Sequence, residues 1–375
     1  MGKATRPLAM VLGAGVSGLT TAYLLQRCGI DVLLVAEQFG RRTTSVVAGA
    51  LWEWQPAVCG FYEAPPKAVL QREKRWSIAS YERFLQLLGE RAAGVYLRRV
   101  TFYLDTPAAD NPFEWQKMVE MRPHVHGFCH DAALIDENGV NPAMGFVDAY
   151  AYLAPMIDTD MYMGWLLGEV LCGGAVLKPE RLESCSPQQL CEFARNHGAD
   201  VLFNCTGLGA LELTGDELIP VRGAWYLVRN DGTDFAAIRE AHCTALQSAA
   251  GGGEFIFIVP RGGDRLILGG IAQPYQWQKE IDEQSTPALG HMLEQCRLFM
   301  PALGQAKIHE ASELRVGLRP FRRRGARVEL ESGAVPLIHN YGHGGSGVTL
   351  SWGAADEAVQ LAQQALGLSA AAVAV

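Results

Sequence analysis

The sequence predicts an α/β fold: a doubly wound parallel sheet interleaved with an α+β domain built on a largely antiparallel sheet. Three observations predict it. "LAMVLGAGVSGLTTAYLLQRCGIDVLLVAEQF" sets strand, glycine turn, helix and strand in order near the N-terminus, and "ADVLFNCTGLGA" later brings back an apolar strand that runs into a small-residue turn. "RGAWYLVRN", "EFIFIVPRG" and "DRLILGGIAQ" are alternating strands of the antiparallel kind.

The first of these is a complete nucleotide-binding βαβ unit of Rossmann type. Gly13 permits the tight turn, Gly15 lets backbone approach a pyrophosphate, and Gly18 lets helix and strand pack closely. Ala14, Val16 and Ser17 complete a helix N-terminus that offers amide donors and a positive dipole. The helix ends near Gly29, and Glu37 closes the second strand, where an acid accepts from a ribose hydroxyl. "RRTTSVVAGALW" then supplies the hydroxyls of Thr43, Thr44 and Ser45, followed by Ala48, Gly49 and Ala50, small residues against which a cofactor can lie.

From Leu51 to about Tyr150 the pattern loosens. A helix is expected after Pro66 and a strand over "VYLRRVTFYLD". His124, His126 and His130 have no helical ligand spacing, so no metal site is expected. "DTDMYMGWLLGEVL" predicts a helix capped by Thr159 or Asp160, with core residues Met161, Trp165, Leu166 and Val170. A strand over "AVLKPERLESC" follows, and then "ADVLFNCTGLGA" delivers Thr206 and Gly207 to the carboxyl edge of the parallel sheet. The domains are therefore expected to be discontinuous: cofactor layers over 1–50, 160–219 and 305–375, and substrate layers over 51–159 and 220–304. "SAAGGGEF", ahead of the second alternating strand, suits either a mobile loop or a plain turn. Near the C-terminus, "NYGHGGSGVTLSWGAADEAVQL" sets a second glycine cluster directly before an amphipathic helix.

Composition limits the function. The chain has 375 residues, 49% hydrophobic and 19% charged, enough to bury a large core. A net charge of −8 without a long basic run gives nucleic acid and anionic membranes no electrostatic footing, so a small-molecule substrate is expected. No run of about 18 apolar residues suggests a membrane span. Nine cysteines without a C-x-x-C pair suit a reducing compartment, and a cytoplasmic location is expected.

The motifs "GAGVSGL", "TTSVVAGALW", "FNCTG", "PVRGAWYLV", "IVPRGGDRLILGG", "VGLRPFRRRGARVELE" and "HNYGHGGSGVTLSWGAADEA" together resemble the D-amino-acid oxidase family, the FAD-dependent oxidases that include D-aspartate oxidase. The resemblance spans the chain but is weak from Glu53 to about Ala151. It implies FAD as cofactor, with its pyrophosphate at Gly13, Gly15 and Gly18, its adenosine ribose at Glu37, and further contacts from Thr43, Thr44 and Ser45. It implies that "GLRP" places a carboxylate anchor at Arg319 rather than at Arg322, Arg323 or Arg324; a guanidinium fork matches a carboxylate bidentately. It also implies that the Gly345 carbonyl accepts from the substrate amine, that the substrate passes a hydride to the flavin, and that oxygen reoxidises the flavin to give peroxide while the imine hydrolyses to keto acid and ammonia. No general base is required. Gly344, Gly345, Ser346, Gly347, Val348 and Thr349 then form the flavin end of the site, where a second helix N-terminus faces the charge of the reduced ring.

The chain departs from the family in one strand. Where many members carry a tyrosine, "IFIVP" has Phe257, and Tyr226 and Tyr275 are candidates to compensate. Trp52, Trp54, Phe255 and Phe257 suggest an apolar or aromatic substrate pocket. The leading expectation is therefore oxidative deamination of a D-amino acid with a neutral, apolar or aromatic side chain. The alternatives are an oxidase of glycine, a secondary amine or an acidic D-amino acid, and, from another class, a flavin-binding scaffold without turnover. An NAD dehydrogenase explains neither "TTSVVAGALW" nor the C-terminal junction. A homodimer is an allowed assembly.

Overall fold

A computed structural model describes residues 6–57, 63, 65–183, 186–244, 253–305 and 313–368. Most of "SAAGGGEF" lies outside them.

The chain begins β1 (Leu8–Leu12), α1 (Val16–Arg27) and β2 (Asp31–Ala36), then crosses to α2 (Lys67–Gln86), β3 (Val95–Leu104), α3 (Pro112–Met121), β4 (His126–His130), α4 (Leu134–Glu137) and β5 (Asp148–Ile157). It returns through α5 (Thr159–Cys172), β6 (Val176–Pro179), α6 (Pro187–Asn196), β7 (Val201–Asn204) and α7 (Ala210–Thr214). Next come β8 (Leu218–Arg229), β9 (Ala241–Thr244), β10 (Gly253–Arg261), β11 (Arg265–Pro274) and α8 (Ala288–Phe299). The last elements are β12 (Glu313–Arg322), β13 (Arg327–Glu331), β14 (Leu337–Tyr341) and α9 (Gly347–Ala365).

Two sheets result. One has the order β13-β14-β7-β1-β2-β6, parallel from β14 to β6 and closed by the antiparallel edge strand β13. Both faces of its central strands are covered, as a parallel sheet requires. Ala9 and Val11 pack with α1, α5 and α9, while Met10 and Leu12 join a second cluster with Leu190 and Ala194 of α6. Asp158, one residue earlier than expected, caps α5 by accepting from the Asp160 amide.

The other sheet runs β12-β8-β11-β10-β9-β3-β5-β4 and is antiparallel except where β3 meets β9. Leu289, Met292 and Leu293 of α8 cover one face of it. Two placements differ from the sequence boundaries. β12 pairs with β8 along its whole length, from Glu313↔Leu227 to Arg322↔Leu218, so 313–322 lies in the eight-stranded sheet, outside the six-stranded one. Helix α2 instead joins the cofactor layer, where Trp76 backbone packs so closely on α9 that only a glycine fits at Gly353. Amphipathic periodicity shows that a helix has an apolar face without naming the partner that covers it.

Candidate active site

The carboxyl ends of β1, β2, β7 and β14 meet a face of the eight-stranded sheet, and a cavity of about 520 Å³ runs between them. That volume lies within the range of sites that enclose an organic ligand.

Its dinucleotide part is built by β1, α1 and β2. Gly13 has φ of 98°, and a Cβ there would lie 2.5 Å from the Cys205 carbonyl oxygen. Gly18 does not line the cavity. A Cβ on it would stand 1.9 Å from the Gly13 carbonyl oxygen, so this glycine fixes the fit of helix to turn. Ala14, Gly15, Val16 and Ser17 line the wall, and the Val16 amide donates to Ser45 Oγ at 2.9 Å. Glu37 lines the far end, 3.5 Å from Arg181, which also reaches Glu212 at 3.9 Å.

Thr43, Thr44, Ser45, Ala48, Gly49 and Ala50 line the cavity along the chain leaving β2, as do Thr206 and Gly207 after β7. The larger sheet holds this first segment in place: Trp225 Nε1 donates to the Val47 carbonyl at 3.0 Å, and Arg261 donates to the Ala48 carbonyl at 2.6 Å.

The C-terminal glycines form the opposite wall, where Gly344, Gly345, Gly347, Val348 and Thr349 reach the cavity. Gly344 has φ of 56°, a value that favours glycine. Ser346 turns the other way and donates to Gln55 Oε1 at 3.1 Å. His343 also lines the cavity, which sequence reasoning missed by treating the run as backbone alone. Burial pushes its imidazole down to about 4; Nδ1 lies 3.4 Å from Ser17 Oγ, and Nε2 has no hydrogen-bond partner among the described residues.

The part away from the dinucleotide turn is walled by β8, β10, β11 and β12. Gly223, Trp225, Phe255, Phe257, Gly270 and Arg319 line it. Strand alternation explains the selection: Gly223 and Trp225 face the cavity, whereas Tyr226 points to the opposite core and donates to Glu283 at 3.0 Å. Tyr275 is exposed and accepts from Arg323 at 2.5 Å. Neither tyrosine supplies the hydroxyl that Phe257 lacks.

Arg319 extends across Gly223, and Nη1 donates to the Ile271 carbonyl at 3.2 Å. The neighbouring arginines turn elsewhere: Arg322 to Asp216 at 2.7 Å, Arg323 to Glu63, and Arg324 to the surface. The aromatic pair Trp52 and Trp54 is core rather than pocket. Trp52 is 1% exposed, donates to the Ser77 carbonyl and packs on Tyr81 and Tyr152; Trp54 stacks on His124. Two residues inserted between a strand-like segment and a turn carry no face-defining pattern, so their direction is not legible in sequence.

Among the described residues no cluster of His, Cys, Asp and Glu is placed to hold a metal ion, and no helix is long and apolar enough to cross a membrane. His130 is paired with Asp148 at 2.9 Å.

The arrangement suits a long anionic dinucleotide. Helices α1 and α9 both begin at the cavity without a side-chain cap or an acid in the first turn, which leaves amides and positive dipole ends facing it. At Gly13, Gly49 and Gly223 a Cβ would be blocked, and Gly207 and Gly344 carry a positive φ that other residues avoid.

The family described as "FAD dependent oxidoreductase" matches residues 9–361. A D-amino-acid oxidase of Rubrobacter xylanophilus is 35% identical over 363 residues, covering 96% of each chain. A human D-aspartate oxidase is 27% identical over 369 residues, covering 94% of each. Among solved structures, glycine oxidase from Bacillus cereus superposes with a TM-score of 0.72 at 16% identity, over 97% of this chain and 95% of that one. At that identity the likeness speaks for the fold.

Proposed function

We propose, for a chain that belongs to the D-amino-acid oxidase family of FAD-dependent oxidoreductases, that it oxidatively deaminates a D-amino acid with oxygen as acceptor. The single observation that carries the reading is Arg319, a guanidinium on the cavity wall beside Gly223 and the Ile271 carbonyl, where an amino-acid carboxylate can be held.

Bound FAD supplies a two-electron oxidation of the substrate's carbon–nitrogen bond, and oxygen takes the electrons as hydrogen peroxide. The residues that would hold it are Gly13 to Ser17, Glu37, Thr43 to Ser45, Ala48 to Ala50, Thr206, Gly207 and the run from Gly344 to Thr349, with Ser346 and Gly18 acting from behind the wall. The chain's own work is binding and orientation. Arg319 takes the carboxylate through paired charge-assisted hydrogen bonds, and the Gly345 carbonyl accepts from the amine. With these two points fixed and the α-hydrogen required to face the flavin, the side chain of one enantiomer would be directed along Phe257 and Phe255, and the names of the relatives support the D hand. Those rings present apolar surface and exclude water from the reacting carbon. The oxidised product is an imine, which water converts to keto acid and ammonia.

The experiment is a visible spectrum of the purified protein, followed by peroxide release on both enantiomers of an amino-acid and amine panel, for the parent and Arg319→Ala. Yellow protein, D-selective turnover and a loss of at least about 100-fold in kcat/KM on removing the arginine are expected. Unchanged turnover in Arg319→Ala removes the anchor role, and a flavin-loaded protein that oxidises nothing identifies a scaffold.

A further inference from the structure

Arg222 and Gly223 are neighbours on β8, so strand alternation turns the arginine away from the cavity that the glycine lines. Behind that wall Arg222, 6% exposed, grips both ends of one short segment. Its Nε and Nη2 donate to Gln273 Oε1 at 2.8 and 2.6 Å, and its Nη1 donates to the Gln278 carbonyl at 3.0 Å. No carboxylate pairs with it among the described residues. Gln273 and Pro274 end β11, so one guanidinium closes 273–278 into a strap. Between the two held ends the Tyr275 amide donates to the Pro220 carbonyl at 2.8 Å, and Tyr275 has φ of 64°, a conformation that residues other than glycine rarely adopt. A residue keeps such a conformation only where its surroundings fix it.

The strap carries Trp277 to the cavity. Trp277 lines it, yet 55% of the residue's surface is open, which places it where the cavity meets solvent. Among the described residues its indole makes no hydrogen bond and no ring contact. A tryptophan usually buries its ring and pairs its N–H; one that does neither, at the rim of a ligand cavity, offers apolar surface for a ligand to cover. The wall that leads to it is aromatic. Phe257 and Phe255 are alternate residues of β10 with rings 6.1 Å apart, and a Cβ on Gly270 of β11 would stand 3.2 Å from the Phe255 ring. Phe257 pairs with Gly269, and from there β11 runs past Gly270 to Pro274 and into the strap. The cavity wall therefore passes from Phe257 to Phe255 and then to Trp277.

We infer that Trp277 is a specificity-determining residue that covers the outer end of an aromatic substrate side chain, so that the site favours D-phenylalanine and D-tryptophan over short aliphatic D-amino acids. The inference rests on the oxidase reading above. With carboxylate and amine held at Arg319 and Gly345, a side chain that runs along Phe257 and Phe255 points toward the rim. A methyl side chain ends close to the reacting carbon. A one- or two-ring side chain extends to the indole and covers its apolar surface. Aromatic rings gain further from edge-to-face or offset contact, so a wall of three rings selects an aromatic side chain over an aliphatic one. Because Arg222 holds the strap in place beforehand, binding does not bear the cost of ordering it.

The test uses the flavin-loaded protein, with peroxide release measured on D-tryptophan, D-phenylalanine and D-alanine. D-alanine is too short to reach the rim and serves as the reference. The parent is compared with Trp277→Ala and with the conservative Trp277→Phe; flavin absorbance and thermal midpoint establish that each is folded. The parent is expected to prefer both aromatic substrates to D-alanine in kcat/KM by about tenfold or more. Trp277→Ala is expected to lower both ratios by about tenfold, mainly through KM, and Trp277→Phe to keep them within about threefold of the parent. A parent that prefers D-alanine, or ratios that stay put in Trp277→Ala, overturns the inference while leaving the oxidase reading standing. A flavin-loaded parent that oxidises no D-amino acid fails the oxidase reading itself, and this inference with it.

Discussion

Gly223→Ala is a small change with a calculable target. Gly223 lies in the middle of β8, paired with Gly317 on one side and Ala272 on the other. A Cβ there would stand 2.4 Å from Arg319 Nη1, 2.5 Å from Cζ and 2.6 Å from Nη2. Ordinary contact begins at 3.4 Å, so the guanidinium must recede by 3.4 − 2.4 = 1.0 Å. The far end of an arginine moves easily, and extended backbone accepts alanine, so the fold is not strained; a glycine-to-alanine change even stabilises by about 0.4–1 kcal/mol through the unfolded chain. The binding geometry does suffer. A displacement of about 1 Å costs on the order of 100-fold where positioning carries the reaction, and losing one charge-assisted hydrogen bond costs about 1.5–3 kcal/mol. The expected result is a fall of about 10- to 100-fold in kcat/KM, carried mainly by KM, with unchanged flavin absorbance and an unchanged or slightly raised melting temperature. Peroxide release against substrate concentration, with a thermal melt of the same sample, measures both. A KM within about threefold of the parent in a folded, flavin-loaded variant refutes the placement of the carboxylate at Arg319.

Asp216 accepts from Arg322 at 2.7 Å and Tyr341 at 2.9 Å, which ties the end of β12 to the end of β14; Asp216→Ala is expected to cost about 1–3 kcal/mol in chemical denaturation and to raise KM, and an unchanged midpoint counts against the tie. Burial lowers His242 and His343 from 6.5 to about 4, so between those values the unfolded chain binds more protons than the folded one. Stability is therefore full above pH 6.5 and declines toward pH 4, by at most about 3 kcal/mol per histidine, and thermal melts with no slope across that window would refute it.

The legible parts of this molecule are those where covalent geometry dictates residue type. Gly13 and Gly18 are readable because a turn and a helix–strand contact each exclude a Cβ, which would stand 2.5 and 1.9 Å from a backbone oxygen, while at Gly15 the nearest atom is Ser45 Oγ at 3.1 Å. The strands β8, β10 and β11 were readable from period-two alternation, and the same alternation separates Gly223 and Trp225 from Tyr226. Illegible parts depend on contacts between distant segments. Nothing local says that β12 pairs with β8, that α2 covers α9, or that Trp52 turns into the core.

The two substrate contacts proposed here lie on one short connection, and that explains how two sheets can hold one small molecule to a fixed geometry. Arg319 lies near the end of the eight-stranded sheet's edge strand, and the chain then crosses directly into the β13–β14 hairpin of the six-stranded sheet before reaching Gly344 and Gly345. Phe321 bridges back to His343, so the hairpin returns to the strand it left. Arg322 lies against Gly342 on one side and binds Asp216 on the other, while Tyr341 and Arg327 converge on the same carboxylate. The spacing from anchor to amine acceptor is therefore set by a closed loop of backbone and ion pairs, independently of how far the rest of the two sheets slide.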